Sequence, residues 1–484
     1  MTLPGKCQSS IRRKNMHYNL DIHYKNMYDH VDIRRKNMHD HVDIRRKNMH
    51  INVMLQRKIS GSLKEWKNKT QKMSLLVKGA RQVGKTFSIE QFAKENYRYF
   101  ITINFDRNPA YRVIFEGDLD MDTLIKQITL RVPNVEMAPH KTLIFLDEIQ
   151  NCPKAQTALK FITQDGRFDC IATGSLLGIK NEEIPSYPVG YIEYLEMHSM
   201  DFEEFLWAKG ISVNSITDIR TFFIRKEKVP AAIHERMMEL FREYIVVGGM
   251  PRVVQEFIET NNFGTVLKLQ RDIINDYAND IAKYAEGSEK VKTRSCFYSI
   301  PKQLAKDYKK FQYSTIEKKG TARKFAGSLE WLYDAGIINF CYNLRLPELP
   351  LEGNAMNDTF KVYMRDTGLL TAMLEDGSQA DIIDGKLGIY KGAIYENIIA
   401  DIFCKLGKKL YYFEYRNQIE IDFFIRRNSE AVAVEVKSAD NTKSKSMDSI
   451  LRNYGINHGI KLSSNNISVS ENVEKYPLYM TMFL

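Results

Sequence analysis

Nowhere in the 484-residue chain is there an uninterrupted apolar run of the roughly eighteen residues that a membrane-crossing helix needs. The first residues, MTLPGKCQSSIRRKN, also lack the apolar stretch of a secretory signal. The expected setting is therefore cytoplasmic, with no membrane partner. Cysteine is sparse: Cys7, Cys152, Cys170, Cys296, Cys341 and Cys404 lie far apart without a CxxC pair. That spacing argues against a zinc site and a disulfide framework and for reduced thiols.

What is present is ordinary globular material, 44% hydrophobic and 27% charged, long enough for two to four domains. The net charge of +10 is unevenly placed. Residues 1–53 hold eleven Lys or Arg against five Asp, so the rest carries only +4. That balance by itself implies no nucleic-acid partner. The same stretch holds six of the ten histidines and repeats with a period of eleven, Ile11, Ile22, Ile33 and Ile44 each followed five residues later by Met16, Met27, Met38 and Met49. HVDIRRKNMH occurs at 30–39 and again at 41–50. A basic arm for phosphates or a histidine cluster for metal is one reading. The expectation taken here is a disordered or frayed low-complexity leader, because the repeats carry too little apolar surface for a core. Met54 fits a natural start, and removal of 1–53 is expected to leave folding and ligand binding unchanged.

Leu75-Leu76-Val77-Lys78 reads as a buried strand, followed by GARQVGKT and then a helical pattern through Ile89, Phe92 and Ala93. The match to GxxxxGK[ST] is complete over Gly79, Ala80, Arg81, Gln82, Val83, Gly84, Lys85 and Thr86. Gly79 and Gly84 let the loop wrap close to phosphate, Lys85 reaches the β/γ-phosphates, and Thr86 offers a hydroxyl to Mg²⁺. The expected ligands are ATP, or another nucleoside triphosphate, and Mg²⁺. Further on, Thr142 to Leu146 is an apolar strand ending in Asp147 and Glu148, a Walker B in which Asp147 serves the magnesium shell and Glu148 is general base. A third apolar strand, Asp169 to Ala172, ends in Thr173-Gly174-Ser175, with Thr173 or Ser175 as γ-phosphate sensor.

These motifs, with IATGSLLG, DFEEFLWA, GGMPRVV, KVYMRDTGLL and EIDFFI followed by AVEVKSA, resemble the bacterial and archaeal AAA-type ATP-binding proteins whose C-terminal half is the domain of unknown function 4143. The resemblance spans about 54–484. It implies an α/β fold: a parallel P-loop NTPase sheet at 54–240, a helical and winged-helix-like region at 241–345, and a restriction-endonuclease-like α/β domain at 346–484. Members often carry Gly-Arg ahead of the SFEEFL-like segment, whereas here Gly190 precedes Tyr191. An arginine contact to nucleotide from that position, and with it the inference of a homo-oligomer that completes its sites across subunits, loses support.

Between Ser299 and Leu344 a helix, a break and a second helix resemble a winged helix-turn-helix, with Lys318, Lys319, Arg323 and Lys324 as candidate phosphate contacts. A packing and lever role is the alternative. From near Gly388 a helical pattern carries Glu396. Two strands follow, one with Asp422 at its centre and one ending Glu435-Val436-Lys437, where a period of two puts Glu435 and Lys437 on one face. This is the PD-(D/E)xK pattern: Glu396, Asp422 and Glu435 would hold Mg²⁺, with Lys437 as a nearby cation. Ser438, Lys443 and Lys445 would form a basic lip for DNA or RNA. Ion pairing of Asp422 and Glu435 with Lys437 or Arg416 is the structural alternative.

The leading expectation is an ATPase acting as a nucleotide-dependent switch coupled to a nuclease-like C-terminal domain. The other is an ATP-binding regulatory or adaptor protein whose C-terminal domain binds a partner or nucleic acid without cleaving it.

Overall fold

The computed structural model describes residues 55–175, 190–284, 287, 289–306, 309–386, 390–416, 418–437 and 445–484. The repeat leader, Gly388, Ser438 and Lys443 lie outside them.

Continuous apolar runs dictate the first layer. After α1 (Ile59–Lys67) come β1 (Ser74–Gly79), α2 (Lys85–Asn96), β2 (Tyr99–Asn104), α3 (Met121–Arg131), β3 (Thr142–Asp147), α4 (Pro153–Asp165), β4 (Asp169–Ser175) and β5 (Ile192–Glu196). The strands form a five-stranded parallel sheet in the order β2-β3-β4-β1-β5. Strands without polar alternation suit such a sheet because helices cover both faces. Ile103, Ile144, Leu146 and Ala172 pack with Leu124 and Leu159 on one side. Leu75, Val77, Phe145 and Ile171 pack with Ile89, Phe92 and Trp66 on the other. Inserting β4 between β1 and β3 brings Thr173 beside Asp147.

The chain then turns helical: α5 (Phe202–Ala208), α6 (Val213–Arg225), α7 (Ala231–Val247), α8 (Pro251–Thr260), α9 (Phe263–Tyr284), α10 (Glu289–Leu304) and α11 (Ala322–Asp334). Asp201 and Glu204 form a capping box at the start of α5, each side chain accepting from the other's backbone N–H. Pro251 opens α8, where its missing N–H costs nothing.

Next come β6 (Ile338–Leu344), β7 (Ala355–Met364), α12 (Thr367–Ala372), α13 (Ser378–Asp384), α14 (Tyr390–Lys405), β8 (Leu410–Tyr415), β9 (Ile419–Arg427), β10 (Glu430–Val436), α15 (Lys445–Asn453), β11 (Gly459–Ser463), β12 (Ser468–Val469) and β13 (Val473–Pro477). They build an eight-stranded mixed sheet, β12-β13-β11-β10-β9-β8-β6-β7. The expected boundary at 345 falls inside an antiparallel pair, since Ile338 sits opposite Met364 and Leu344 opposite Ala355. The helix pair α10–α11 is thus followed by strands that extend the C-terminal sheet. One apolar core runs from Phe202 and Phe241 through Ile274 and Phe325 to Ile398, Phe423 and Met480, so helices and C-terminal sheet are one packed body. The sheet's other face packs Phe424 and Ala433 against Met447 and Ile450 of α15.

The GGMP and RDTG segments, 117 residues apart, meet backbone to backbone. Gly249 N–H donates to Asp366 Oδ2 at 2.8 Å, and Met200 N–H donates to Gly249 O at 2.7 Å. A Cβ on Gly249 would lie 2.0 Å from Met200 O, and one on Gly368 2.6 Å from Gly248 Cα.

Candidate functional site

β1 delivers the chain to Gly79, where a Cβ would stand 2.2 Å from Met197 O, so only glycine lets the segment after β5 pass. The loop then curls through left-handed conformations at Gln82 (φ 64°) and Gly84 (φ 93°). Lys85 begins α2; its ammonium donates to Gly79 O at 2.9 Å and Ala80 O at 2.8 Å. Burial lowers the Lys85 pKa, while Glu148 and Asp147 oppose that fall. Arg57 braces the loop from below, donating to Val83 O at 2.8 Å, His198 O at 2.7 Å and Glu204 Oε1 at 3.1 Å.

Asp147, 1% exposed, gathers three side chains from three elements. Thr86 Oγ1 donates at 3.1 and 3.2 Å, Asn104 Nδ2 at 2.7 Å, and Thr173 Oγ1 also donates. The Glu148 N–H donates to Thr173 Oγ1 at 3.3 Å. Glu148 itself adopts φ 55°, and its carboxylate accepts from Gln150 Nε2. Of the two sensor candidates, Thr173 carries the hydroxyl that meets Asp147. Ser175 pairs with Gly79 across the sheet, and its side chain is outside the described set. A threonine hydroxyl beside a buried carboxylate is the donor pair that Mg²⁺ takes in P-loop sites, so Thr86 and Asp147 fit the ion.

Residues outside every motif also serve this site. Asn104 carries no motif and is signalled only by ending β2 level with Asp147. Asp276 and Asp280 lie one turn apart on α9 and take hold of the loop's side chains: Gln82 Nε2 donates to Asp276 Oδ2 at 2.9 Å, and Arg81 pairs with Asp280. Between them the Tyr277 hydroxyl donates to Arg81 O at 3.2 Å. Burial raises the Asp280 pKa, and Asp276 and Glu148 add to the rise against the pull of Arg81.

Tyr191 lies before β5, at the end of the sheet away from the glycine loop, because β5 runs parallel to β1 with Glu196 level with Lys78. Its hydroxyl accepts from Gln164 Nε2 at 3.0 Å. An arginine at 191 would stand about 17 Å from the glycine-loop end of its own sheet, at about 3.3 Å per residue.

In the C-terminal domain the four expected residues form two pairs on opposite faces. β9 carries an extra residue between Ile421 and Phe424, opposite Tyr411 to Phe413. Such a bulge redirects side chains. Phe423 consequently meets Phe403 of α14, and Asp422 shares the field of Glu396, Lys361 and Lys309. Glu396 accepts from Lys309 and, at 3.2 Å, from the Tyr363 hydroxyl; Lys361 Nζ stands 3.9 Å away and pairs with Glu420 at 2.7 Å. Burial acts to raise the Glu396 pKa, but the two ammoniums outweigh it and hold it low. Burial, reinforced by Glu396, pushes Asp422 up to about 7. Val434 and Val436 face the α14 core, so Glu435 alternates to the α15 side, level with Lys461 and paired with Lys437 at 2.5 Å. Asp422 touches that strand through the Val436 N–H, which donates to it at 2.7 Å. Among the described residues no group of three or more His, Cys, Asp or Glu is arranged to hold a metal ion.

Three families match: an AAA domain over residues 71–206, a domain of unknown function (DUF8612) over 238–380, and the domain of unknown function 4143 over 391–481. None of the curated proteins matches. Similar solved structures include the Walker-type ATPase paby2304 of Pyrococcus abyssi, 16% identical with TM-score 0.40, covering 66% of this chain and 96% of that one. The Aeropyrum pernix ORC1 protein in complex with DNA is 14% identical with TM-score 0.28, covering 67% and 92%. A signal-transduction ATPase with numerous domains from Pyrococcus horikoshii is 12% identical with TM-score 0.25, covering 73% and 46%. No helix among the described residues is long and apolar enough to cross a membrane.

Proposed function

Since the chain is an AAA-type P-loop protein with a C-terminal domain of unknown function 4143, we infer that it hydrolyses ATP and uses nucleotide occupancy to switch the helical and C-terminal body. The observation that carries hydrolysis is the convergence of Thr86, Asn104 and Thr173 on Asp147, with Glu148 next in the chain. Lys85 exchanges two loop carbonyls for β/γ-phosphate oxygens. Glu148 orients the attacking water and takes its proton. Thr86 and Asp147 would hold Mg²⁺, which when bound neutralises charge on the phosphates.

The switch rests on the α9 carboxylates. Phosphate drawn into the loop competes with Asp280 and Asp276 for Arg81 and Gln82, and α9 is packed in the core that contains Ile398 and Phe423. Nucleotide therefore favours one arrangement of that body over another. Lys85→Ala should abolish ATP binding in calorimetry, whereas Glu148→Gln should bind ATP and turn over at least about a hundredfold more slowly. Retained hydrolysis in both variants would refute the assignment.

For the C-terminal domain we favour partner binding without cleavage, because Lys309 and Lys361 already neutralise Glu396. One observation supports a nuclease instead: Asp422 bonds to the backbone of the strand that carries Glu435 and Lys437. Cleavage of DNA or RNA with Mg²⁺ or Mn²⁺, lost in Asp422→Ala and Lys437→Ala, would establish the nuclease.

A further inference from the structure

A cleft of about 550 Å³ opens between the end of β5 and the neighbouring strands β6 and β8 of the C-terminal sheet. That volume falls in the range of small-ligand sites, about 300–1,000 Å³. Its wall holds an aromatic ladder. Tyr333, 40% exposed, lies 5.4 Å from Phe340, and Phe340 stacks at 5.8 Å on Tyr342. Arg365 stands over the Tyr333 ring at 5.2 Å, and Tyr411 and Lys408 complete that side.

The charges lining the cleft are unequal. Lys409 is held by both oxygens of Glu352 at 2.6 Å, and Arg365 pairs with Glu196 at 2.9 Å. Lys408 is different: burial and the Arg427 guanidinium both push its pKa down, the signature of a cation whose neighbours do not compensate it. Flat aromatic faces beside such a cation match the chemistry of a base joined to a phosphate. Stacking takes the base, and Lys408 takes the anion. A duplex hides its base faces; a single strand does not.

We propose that this cleft binds single-stranded nucleic acid, one base packing against the exposed Tyr333 and the adjoining phosphate reaching Lys408. It is a place distinct from the exposed Lys318, Lys319, Arg323 and Lys324 around the start of α11. Arg365 gives the site a line to the glycine loop, because its partner Glu196 ends β5 level with Lys78 of β1. That link rests on the switch reading; the binding itself does not.

The test is fluorescence anisotropy of the full chain with short labelled oligo(dT) and oligo(U), the same DNA as duplex, and UMP as competitor. Single strands should bind, and Tyr333→Ala and Lys408→Ala should each weaken them about tenfold with an unchanged unfolding temperature. Competition by UMP at concentrations matching the oligomer would identify a free nucleotide as occupant of the same cleft. Four results would overturn the proposal: no binding, equal affinity for duplex, affinity unmoved by both variants, or loss confined to Lys318→Ala and Arg323→Ala. ATP hydrolysis by the same preparations separates the two claims, since its absence alongside intact oligomer binding refutes only the switch.

Discussion

Gln82, in the glycine loop, donates to Asp276 of α9 at 2.9 Å across 194 residues of sequence. With Arg81 held by Asp280 one helical turn further on, two side chains of the loop are tied to a helix outside the ATPase sheet. Phosphate and these carboxylates carry charge of the same sign and claim the same donors.

Releasing the loop should therefore favour nucleotide. Asp280→Asn and Asp276→Asn are expected to tighten ATP binding about fivefold or more, the low end of ordinary coupling energies. Isothermal titration calorimetry measures it. Unchanged or weaker binding would mean that the two carboxylates support the loop's bound shape.

Backbone passes too close for an added methyl at Gly249, beside Met200, and at Gly368, beside Gly248. Gly249→Ala and Gly368→Ala would each drive a Cβ into backbone atoms, which cannot rotate away as a side-chain end can. A loss of about 3 kcal/mol in urea unfolding is expected for each, against nearly none for Gly327→Ala, whose Cβ meets nothing within 4 Å.

Acid should weaken the protein through His198. Burial, with Arg365, Lys405 and Arg57 close by and Glu196 in opposition, lowers its pKa to about 4. Above pH about 6.5 both native and unfolded imidazoles are neutral, and the contribution is complete. As pH falls from there toward 4, only the unfolded state gains a proton, so stability drops by up to about 1.4 kcal/mol per pH unit. His198→Gln should flatten the urea midpoint over that window; parallel curves would contradict the account.

Lys361, wholly buried between Glu396 and Glu420, is a buried charge network in miniature. Lys361→Met should cost about 3–5 kcal/mol by stranding the carboxylates. The double variant Lys361→Met/Glu420→Gln should recover part of that loss in chemical unfolding. Full additivity would indicate no interaction.

The arrangement of the glycine loop and Asp147 was legible because it is local: one strand, one loop and one helix start hold GARQVGKT, and Asp147 ends a strand whose neighbours are set by apolar pattern. Asn104 was not, since an asparagine at a strand end has many uses. Asp276 and Asp280 read as an ordinary solvated helix face until folding brings α9 to the loop. Asp422 failed differently. Strict alternation along Ile419 to Ile425 says nothing of an extra residue opposite Tyr412, and that single insertion puts Asp422 with Glu396 while Glu435 faces α15. Gly249 and Gly368 were visible as motif letters, but their reason is distant backbone, Met200 beside Gly249 and Gly248 beside Gly368.

The core shared by the helices and the C-terminal sheet also sets a timetable for synthesis. Val229 bonds to Asn466, and the His234 ring meets the Tyr479 hydroxyl 245 residues later. The parallel sheet can close from residues already made. The faces of α5 to α7 that residues 478–483 cover must wait for that cover, roughly 12–50 s at about 5–20 residues per second. During that interval the nascent chain presents an uncovered helical surface, the kind of surface a holding chaperone recognises, and a ribosome stalled near residue 380 would leave it uncovered for good.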